Sequence, residues 1–174
     1  MNVIAETERL VLRQLVPADL DFVAEMLGDS EVMRFYPKTL TRAEAESWIA
    51  RQLQRYAEHG HGLWLVLDRL NLQPIGQVGL AIQDVHGVLE PEIGYLLHRP
   101  FWRRGFATEA ALSVRDLAFS AFRKRSVISL IRPVNLPSQA VARRIGMSPE
   151  SEVLFKGLPH LVFRVTSPAH FVAA

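Results

Sequence analysis

The stretch Glu92-Ile93-Gly94-Tyr95-Leu96-Leu97-His98-Arg99-Pro100-Phe101-Trp102-Arg103-Arg104-Gly105-Phe106-Ala107-Thr108-Glu109-Ala110 concentrates the residues that could do chemistry. An apolar, strand-like run enters a loop with three arginines and a glycine, and a helical pattern begins at once. The first backbone N–H groups of a helix have no intrahelical partner, and the helix dipole adds about half a positive charge there. Gly105 lets the main chain approach a ligand, and Arg103 and Arg104 add fixed charge. The segment is therefore an anion cradle suited to a pyrophosphate. The same residues also fit a plain solvated loop with a turn glycine, and spacing alone does not choose between the two.

Other candidate chemistries are weaker. Neither Gly-x-x-x-x-Gly-Lys-[Ser/Thr] nor Gly-x-Gly-x-x-Gly occurs, so the usual triphosphate and dinucleotide loops are absent. Gly76-Gln77-Val78-Gly79 falls within a strand and marks a bulge or close packing. His59-Gly60-His61 has no further ligands at metal spacing, so no metal is expected. With no cysteine in 174 residues, acyl-cysteine chemistry and Cys-ligated metals are excluded, and any working thiol must come from a ligand. Arg123-Lys124-Arg125 lies where a helix C-terminus favours cations and lacks interleaved aromatics, so it reads as a solvated cap rather than a nucleic-acid site.

Twenty Lys plus Arg against 18 Asp plus Glu leave a net charge of +2. The isoelectric point of about 9.3 reflects that small excess, spread from Arg9 to Arg164, so no polyanion partner is implied. No apolar run approaches the roughly 20 residues of a membrane span, and the first residues lack a signal-peptide pattern. A cytoplasmic protein with no membrane partner is expected. The length suits one domain, residues 1–174 with a core of about 7–166, able to bury roughly 70% of its unfolded surface.

The elements that must position the cradle follow from periodicity. Strands are expected at Arg9–Leu15, Leu63–Leu67, Pro74–Ile82, Pro91–Leu97, Val127–Ile131, Glu152–Phe155 and His160–Val165. Pro17 opens a helix to Leu27, and Asp29–Phe35 reads as a helical turn. The capping pair Thr41 and Glu44 starts a helix running to Glu58, with Ala45, Trp48, Ile49, Leu53 and Tyr56 inward. Further helices are expected over Gly105–Phe122 and from Pro137 or Ser138 to the stop at Gly146. The result is an α/β (α+β) layered fold with a mixed sheet.

Trp102-Arg103-Arg104-Gly105-Phe106-Ala107 resembles the acetyl-CoA signature of the GNAT superfamily of N-acetyltransferases, with Trp in place of the usual Gln or Arg. Thr7-Glu8-Arg9-Leu10-Val11-Leu12-Arg13, Glu92-Ile93-Gly94-Tyr95, and Asn135-Leu136-Pro137-Ser138 followed by Arg144-Ile145-Gly146-Met147 resemble elements of its ribosomal-protein N-terminal acetyltransferase branch, in family order. The resemblance implies a single GNAT-like domain with a mostly antiparallel sheet of six to seven strands, splayed at its centre. It implies acetyl transfer from acetyl-CoA to a primary amine by direct attack in a ternary complex, with a protein N-terminal α-amine as one candidate acceptor. A non-catalytic acyl-CoA binding module is the alternative, because the late strand offers Phe163 where many relatives place a tyrosine acid. A homodimer is left open.

By the same resemblance, the backbone of Leu96, Leu97 and His98 would meet the pantetheine arm. The segment Arg103, Arg104, Gly105, Phe106, Ala107 and Thr108 would hold the pyrophosphate, and Asn135 and Ser138 would lie beside the thioester. An amine with a pKa of about 8 to 10.4 must lose a proton before attack. Glu92 is the leading base and Glu90 its weaker rival. Ser138 is the favoured acid, with helix capping as its other role. Phe35, Tyr36, Trp48 and His160 would line the acceptor side. His160 is also the kind of residue that simply packs in a turn.

Overall fold

In the computed structural model, which describes residues 2–168, the longest hairpin is closed by His86 and Gly87, both left-handed at φ 53° and 84°. A two-residue turn of this hand matches the twist of the flanking strands. It extends β4 (Pro74–Val85) and β5 (Val88–Leu97) beyond the limits expected from Ile82 and Pro91. Met1 and residues 169–174 of the expected domain lie outside the described residues.

The chain builds β1 (Val3–Glu6), β2 (Leu10–Arg13), α1 (Leu20–Gly28), α2 (Arg42–His59) and β3 (Leu63–Asp68) before this hairpin. After it come α3 (Phe106–Ser120), β6 (Ser126–Ile131), α4 (Leu136–Arg144), β7 (Ser148–Phe155) and β8 (Leu158–Thr166). One eight-stranded sheet runs β1-β2-β3-β4-β5-β6-β8-β7. The extra strand relative to the expected six to seven is β1, which pairs with β2 from Val3 and so starts the fold earlier than residue 7. Every pairing is antiparallel except β5 with β6, which is parallel and has the single registered pair Glu92↔Ile128.

Helices cover both faces. Leu10, Leu12, Val66, Val78, Leu80 and Ile93 pack with Ala110, Ala111 and Val114 of α3. On the opposite face, Val11, Leu65 and Leu67 pack with Val23, Met26 and Leu27 of α1 and with Ala45 and Ile49 of α2. The Thr41–Glu44 capping box forms as expected.

The inward stripe of α2 differs at one place: Gln52 is fully buried, whereas Leu53 is 37% exposed. Gln52 is drawn in because its Oε1 accepts the Leu63 N–H at 3.0 Å, where β3 begins. The Tyr56 phenol does a similar job, accepting the Leu15 N–H at 3.2 Å and donating to the Leu63 carbonyl. Gly79 carries the expected close packing. A Cβ there would lie 2.1 Å from the Gly62 carbonyl oxygen, so only glycine lets β3 and β4 approach.

Candidate active site

Beyond Glu92 the β5–β6 ladder stops, and side chains bridge the fork. Ser129 Oγ donates to the Ile93 carbonyl at 2.7 Å, and Glu92 Oε1 accepts the Leu130 N–H at 3.3 Å. Past these bridges the β5 edge from Gly94 to Leu97 separates from β6, while its other edge stays paired with β4. A cavity of about 450 Å³ opens there, a volume ordinary for a ligand site. It is lined by β5, the loop into α3, the first turn of α4 and the segment after α1.

The glycine turn into α3 is where the sequence suggested, with its two arginines placed differently. Arg103 (φ 61°) and Gly105 (φ 80°) are both left-handed, turning the chain abruptly into α3. Gly105 is the N-cap and carries no side-chain cap, so the first N–H groups of α3 remain free for an anion. Arg103 lines the main cavity and a neighbouring one of about 710 Å³, as does Arg144 from the last turn of α4. Arg104 lines neither; its guanidinium lies 5.8 Å from the Phe101 ring centroid and its carbonyl accepts Arg9 at 3.0 Å.

A clamp pins this turn. Glu109, in the first turn of α3, accepts Thr7 Oγ1 at 2.6 Å, the Arg9 N–H at 2.9 Å and Arg9 Nε at 2.7 Å. Burial alone would raise the Glu109 pKa, but these hydrogen bonds outweigh it and lower the value. The Arg9 guanidinium also sits 4.7 Å from the Phe106 ring centroid.

Of the expected site residues, Phe35, Tyr36, Leu96, Leu97, Arg103, Gly105, Phe106, Ala107, Thr108, Asn135 and Ser138 share the main cavity. His98 does not: one residue past β5 the chain continues along β4, and the His98 N–H donates to the Ile75 carbonyl at 2.9 Å. Its ring packs edge-on to Phe22. The Leu97 carbonyl is also engaged, by Trp102 Nε1 at 2.7 Å. Trp48 lies outside the cavity, donating to Gln77 Oε1 at 2.8 Å. His160 also lies outside it: Nδ1 is 2.9 Å from the carbonyl of Leu158, and the ring stacks edge-on to Phe155.

Asn135, not Ser138, caps α4, its Oδ1 accepting the Ser138 N–H at 3.1 Å. The Ser138 carbonyl accepts the Tyr95 phenol at 2.7 Å, so the hydroxyl is the group Ser138 has left to offer.

Glu92 sits at the fork itself, with Oε2 accepting Gln83 Nε2 at 2.6 Å. Burial raises its pKa above the ordinary glutamate value despite this bond and the one from Leu130. Glu92 is not among the residues lining the cavity; burial first, and the Glu92 charge second, raise the pKa of the Tyr95 phenol, which does line it. Glu90 is otherwise engaged, since Arg164 binds it with two nitrogens at 2.7 and 3.1 Å and holds Glu150 at 2.7 Å. His61 is buried with Nδ1 2.8 Å from the Leu80 carbonyl. Among the described residues no helix is long and apolar enough to cross a membrane.

Sequence reasoning assigned no site role to Tyr95, Glu31, Arg34, Trp102 or Arg144, all of which line the cavity. Nor did it find the Thr7–Arg9–Glu109 clamp, whose members lie about 100 residues apart.

Residues 9–148 match the family model described as the acetyltransferase (GNAT) domain. The uncharacterised N-acetyltransferase YnaD of Bacillus subtilis strain 168 is 28% identical over 145 residues, 83% of this chain and 82% of that one. The crystal structure of an acetyltransferase from Agrobacterium tumefaciens C58 superposes with a TM-score of 0.80 at 30% identity, covering 96% of this chain and 95% of the other. RimL, the ribosomal L7/L12 α-N-protein acetyltransferase solved with coenzyme A, shares the fold at a TM-score of 0.80 and 16% identity, covering 97% and 99%. A splayed parallel pair beside a free helix N-terminus is thus accompanied by a family match over most of the chain, and the chain belongs to the GNAT acetyltransferase family, as an N-acetyltransferase whose donor is acetyl-CoA.

Proposed function

We propose that this enzyme transfers the acetyl group by direct attack of a primary amine, with a protein N-terminal α-amine as acceptor and Glu92 as general base. The observation that carries the reading is the position of Glu92: a carboxylate of raised pKa stands where β5 and β6 part. Acetyl-CoA supplies an activated thioester carbonyl and a thiolate leaving group. The free N–H groups of α3 together with Arg103 and Arg144 would meet its diphosphate, and the edge of β5 that faces away from β4, at Tyr95 and the Leu97 N–H, together with the side chain of Asn135 would flank its arm.

Glu92 would take the proton that the arriving ammonium must lose, directly or through water. Ser138 would give a proton to the departing sulfur. The choice of an α-amine draws on the Asn135-x-x-Ser138 resemblance and on the activity named for RimL, whose fold this chain shares.

Coenzyme A release is to be followed with a panel of amines and N-terminal peptides across pH. With the wild type, kcat/KM falls as pH drops through the raised Glu92 pKa, which lies above the usual value of about 4.3. Glu92→Gln lowers kcat about 10²-fold, leaves the KM for acetyl-CoA unchanged and abolishes that acid limb. A variant that keeps the limb removes Glu92 as base; no release from any amine removes the proposed acceptor class.

A further inference from the structure

The segment between α1 and α2 and the loop from β5 into α3 meet at the main cavity, and both line it. The segment is anchored by its own apolar residues. Val32 and Met33 are 3% and 5% exposed in the core under α1 and α2, and Trp102 of the loop packs against the same core. The Met33 N–H donates to the Asp29 carbonyl at 3.0 Å and the Tyr36 N–H to the Met33 carbonyl at 2.8 Å, which fixes the main chain around Arg34. Asp29 Oδ2 lies 3.6 Å from Arg99 Nε and ties segment to loop a second time.

Arg34 thus has a fixed main chain and a side chain that lines the cavity. Its guanidinium carbon is 4.6 Å from the Phe35 ring centroid and 5.7 Å from that of Trp102. Aromatic rings attract a guanidinium through its charge and its face, so the N–H donors in its plane stay free for an oxyanion. Its ion pair with Glu31 is loose, at 3.9 Å, whereas those of Arg9, Arg13 and Arg164 measure 2.6, 2.6 and 2.7 Å.

Trp102 joins this guanidinium to the donor side of the cavity. Its Nε1 donates to the Leu97 carbonyl at the end of β5, and the next residue, Arg103, begins the turn into α3. Arg34, Arg103 and Arg144 come from three separate elements to one cavity, whose single acidic lining residue is Glu31. Three guanidinium groups against one carboxylate leave an excess of positive charge that suits a dianion.

Resting on the placement of the donor's diphosphate at the turn into α3, we propose that Arg34 is a third arginine of the diphosphate site, brought to it from the segment after α1 by its seat beside Phe35 and Trp102. The planar edge of the guanidinium can bond one phosphate with two N–H groups. Donors that carry the diphosphate gain this contact, and a phosphate-free pantetheine thioester does not.

Calorimetry tests this with coenzyme A, with dephospho-coenzyme A, which keeps the diphosphate but lacks the ribose 3′-phosphate, and with pantetheine, read by displacement of coenzyme A. Arg34→Gln is expected to weaken coenzyme A and dephospho-coenzyme A alike by about tenfold, the loss of one charge-assisted contact, and to change pantetheine by less than about twofold. Arg34→Lys should fall between the wild type and Arg34→Gln, because the charge stays and the paired donors go. Phe35→Leu removes one ring of the seat and should weaken both nucleotides about threefold, with no further loss when combined with Arg34→Gln. Equal losses for pantetheine and coenzyme A would mean that Arg34 shapes the cavity without meeting phosphate, and a loss confined to coenzyme A would assign it to the 3′-phosphate; either result overturns the inference. Unchanged affinity in Arg34→Gln beside a loss in Arg103→Glu overturns it and keeps the diphosphate at the turn. Unchanged affinity in both variants overturns that placement as well.

Discussion

At the scale of single residues, the two arginines before Gly105 part company. Their types and spacing made Arg103 and Arg104 equivalent, but the left-handed backbone at Arg103 turns its side chain towards both cavities and leaves Arg104 on Phe101. Charge reversal separates them. Arg103→Glu is expected to raise the KM for acetyl-CoA tenfold or more, since it replaces an attraction to phosphate by a repulsion. Arg104→Glu should change it less than threefold. Titration calorimetry with coenzyme A checks both; equal losses would mean that general charge, not placement, holds the diphosphate. The turn into α3 was legible in the sequence because it rests on a local rule, a glycine before a helix. What remained hidden depends on contacts distant in sequence or on fine backbone geometry. Arg144 reaches the site only because α4 packs beside α3. His98 and Trp48 miss the cavity because their polar groups bond to β4, through the Ile75 carbonyl and Gln77.

Among the elements, α3 depends on β2 for its exact placement. The Gly105 N-cap has no side-chain bond of its own, and Glu109 supplies the restraint from inside the first turn by accepting from Thr7 and Arg9. Glu109→Gln should lower stability by about 1 kcal/mol at neutral pH, a modest figure because the Arg9 side chain is 45% exposed. For a chain of this length that is roughly 2–4 °C in Tm. The Glu109 pKa is lowered in the folded state, so its contribution is present above the unfolded value of about 4.3 and is lost as pH falls through the folded one. Thermal melts of the two proteins should therefore converge in acid. A gap that stays constant as pH falls through the acid range, or an unchanged KM for acetyl-CoA at neutral pH, would contradict the clamp. Element types were readable from hydrophobic period because α3 and the β4–β5 hairpin follow it closely. Gln52 displaced Leu53 because a buried main-chain N–H on β3 required an acceptor, a demand that no local period records.

For the whole molecule, the sheet consists of two antiparallel parts, β1 to β5 and β6-β8-β7, that meet at one ladder pair, the two side-chain bridges of the fork and the Arg164–Glu90 ion pair. The core under α3 and α4 spans both parts: Ile93 and Val78 of the first share it with Val127, Ile131 and Phe163 of the second. Apolar packing therefore holds together a sheet whose hydrogen bonding is interrupted at its centre, and the interruption is what leaves strand edges for a ligand. A ligand seated in the fork should add hydrogen bonds across the gap and stabilise the whole fold. Coenzyme A at 100 times its Kd should contribute about 2.7 kcal/mol, which corresponds to a rise in Tm of roughly 5–10 °C. Hydrogen exchange gives the location: protection should increase at the amides of Tyr95 and Leu97, which face the fork, and of Phe106 to Thr108, and remain unchanged along the outer strand β7. A rise in Tm with protection spread evenly over the sheet would place the ligand elsewhere, because a site outside the fork has no reason to favour those amides over the rest.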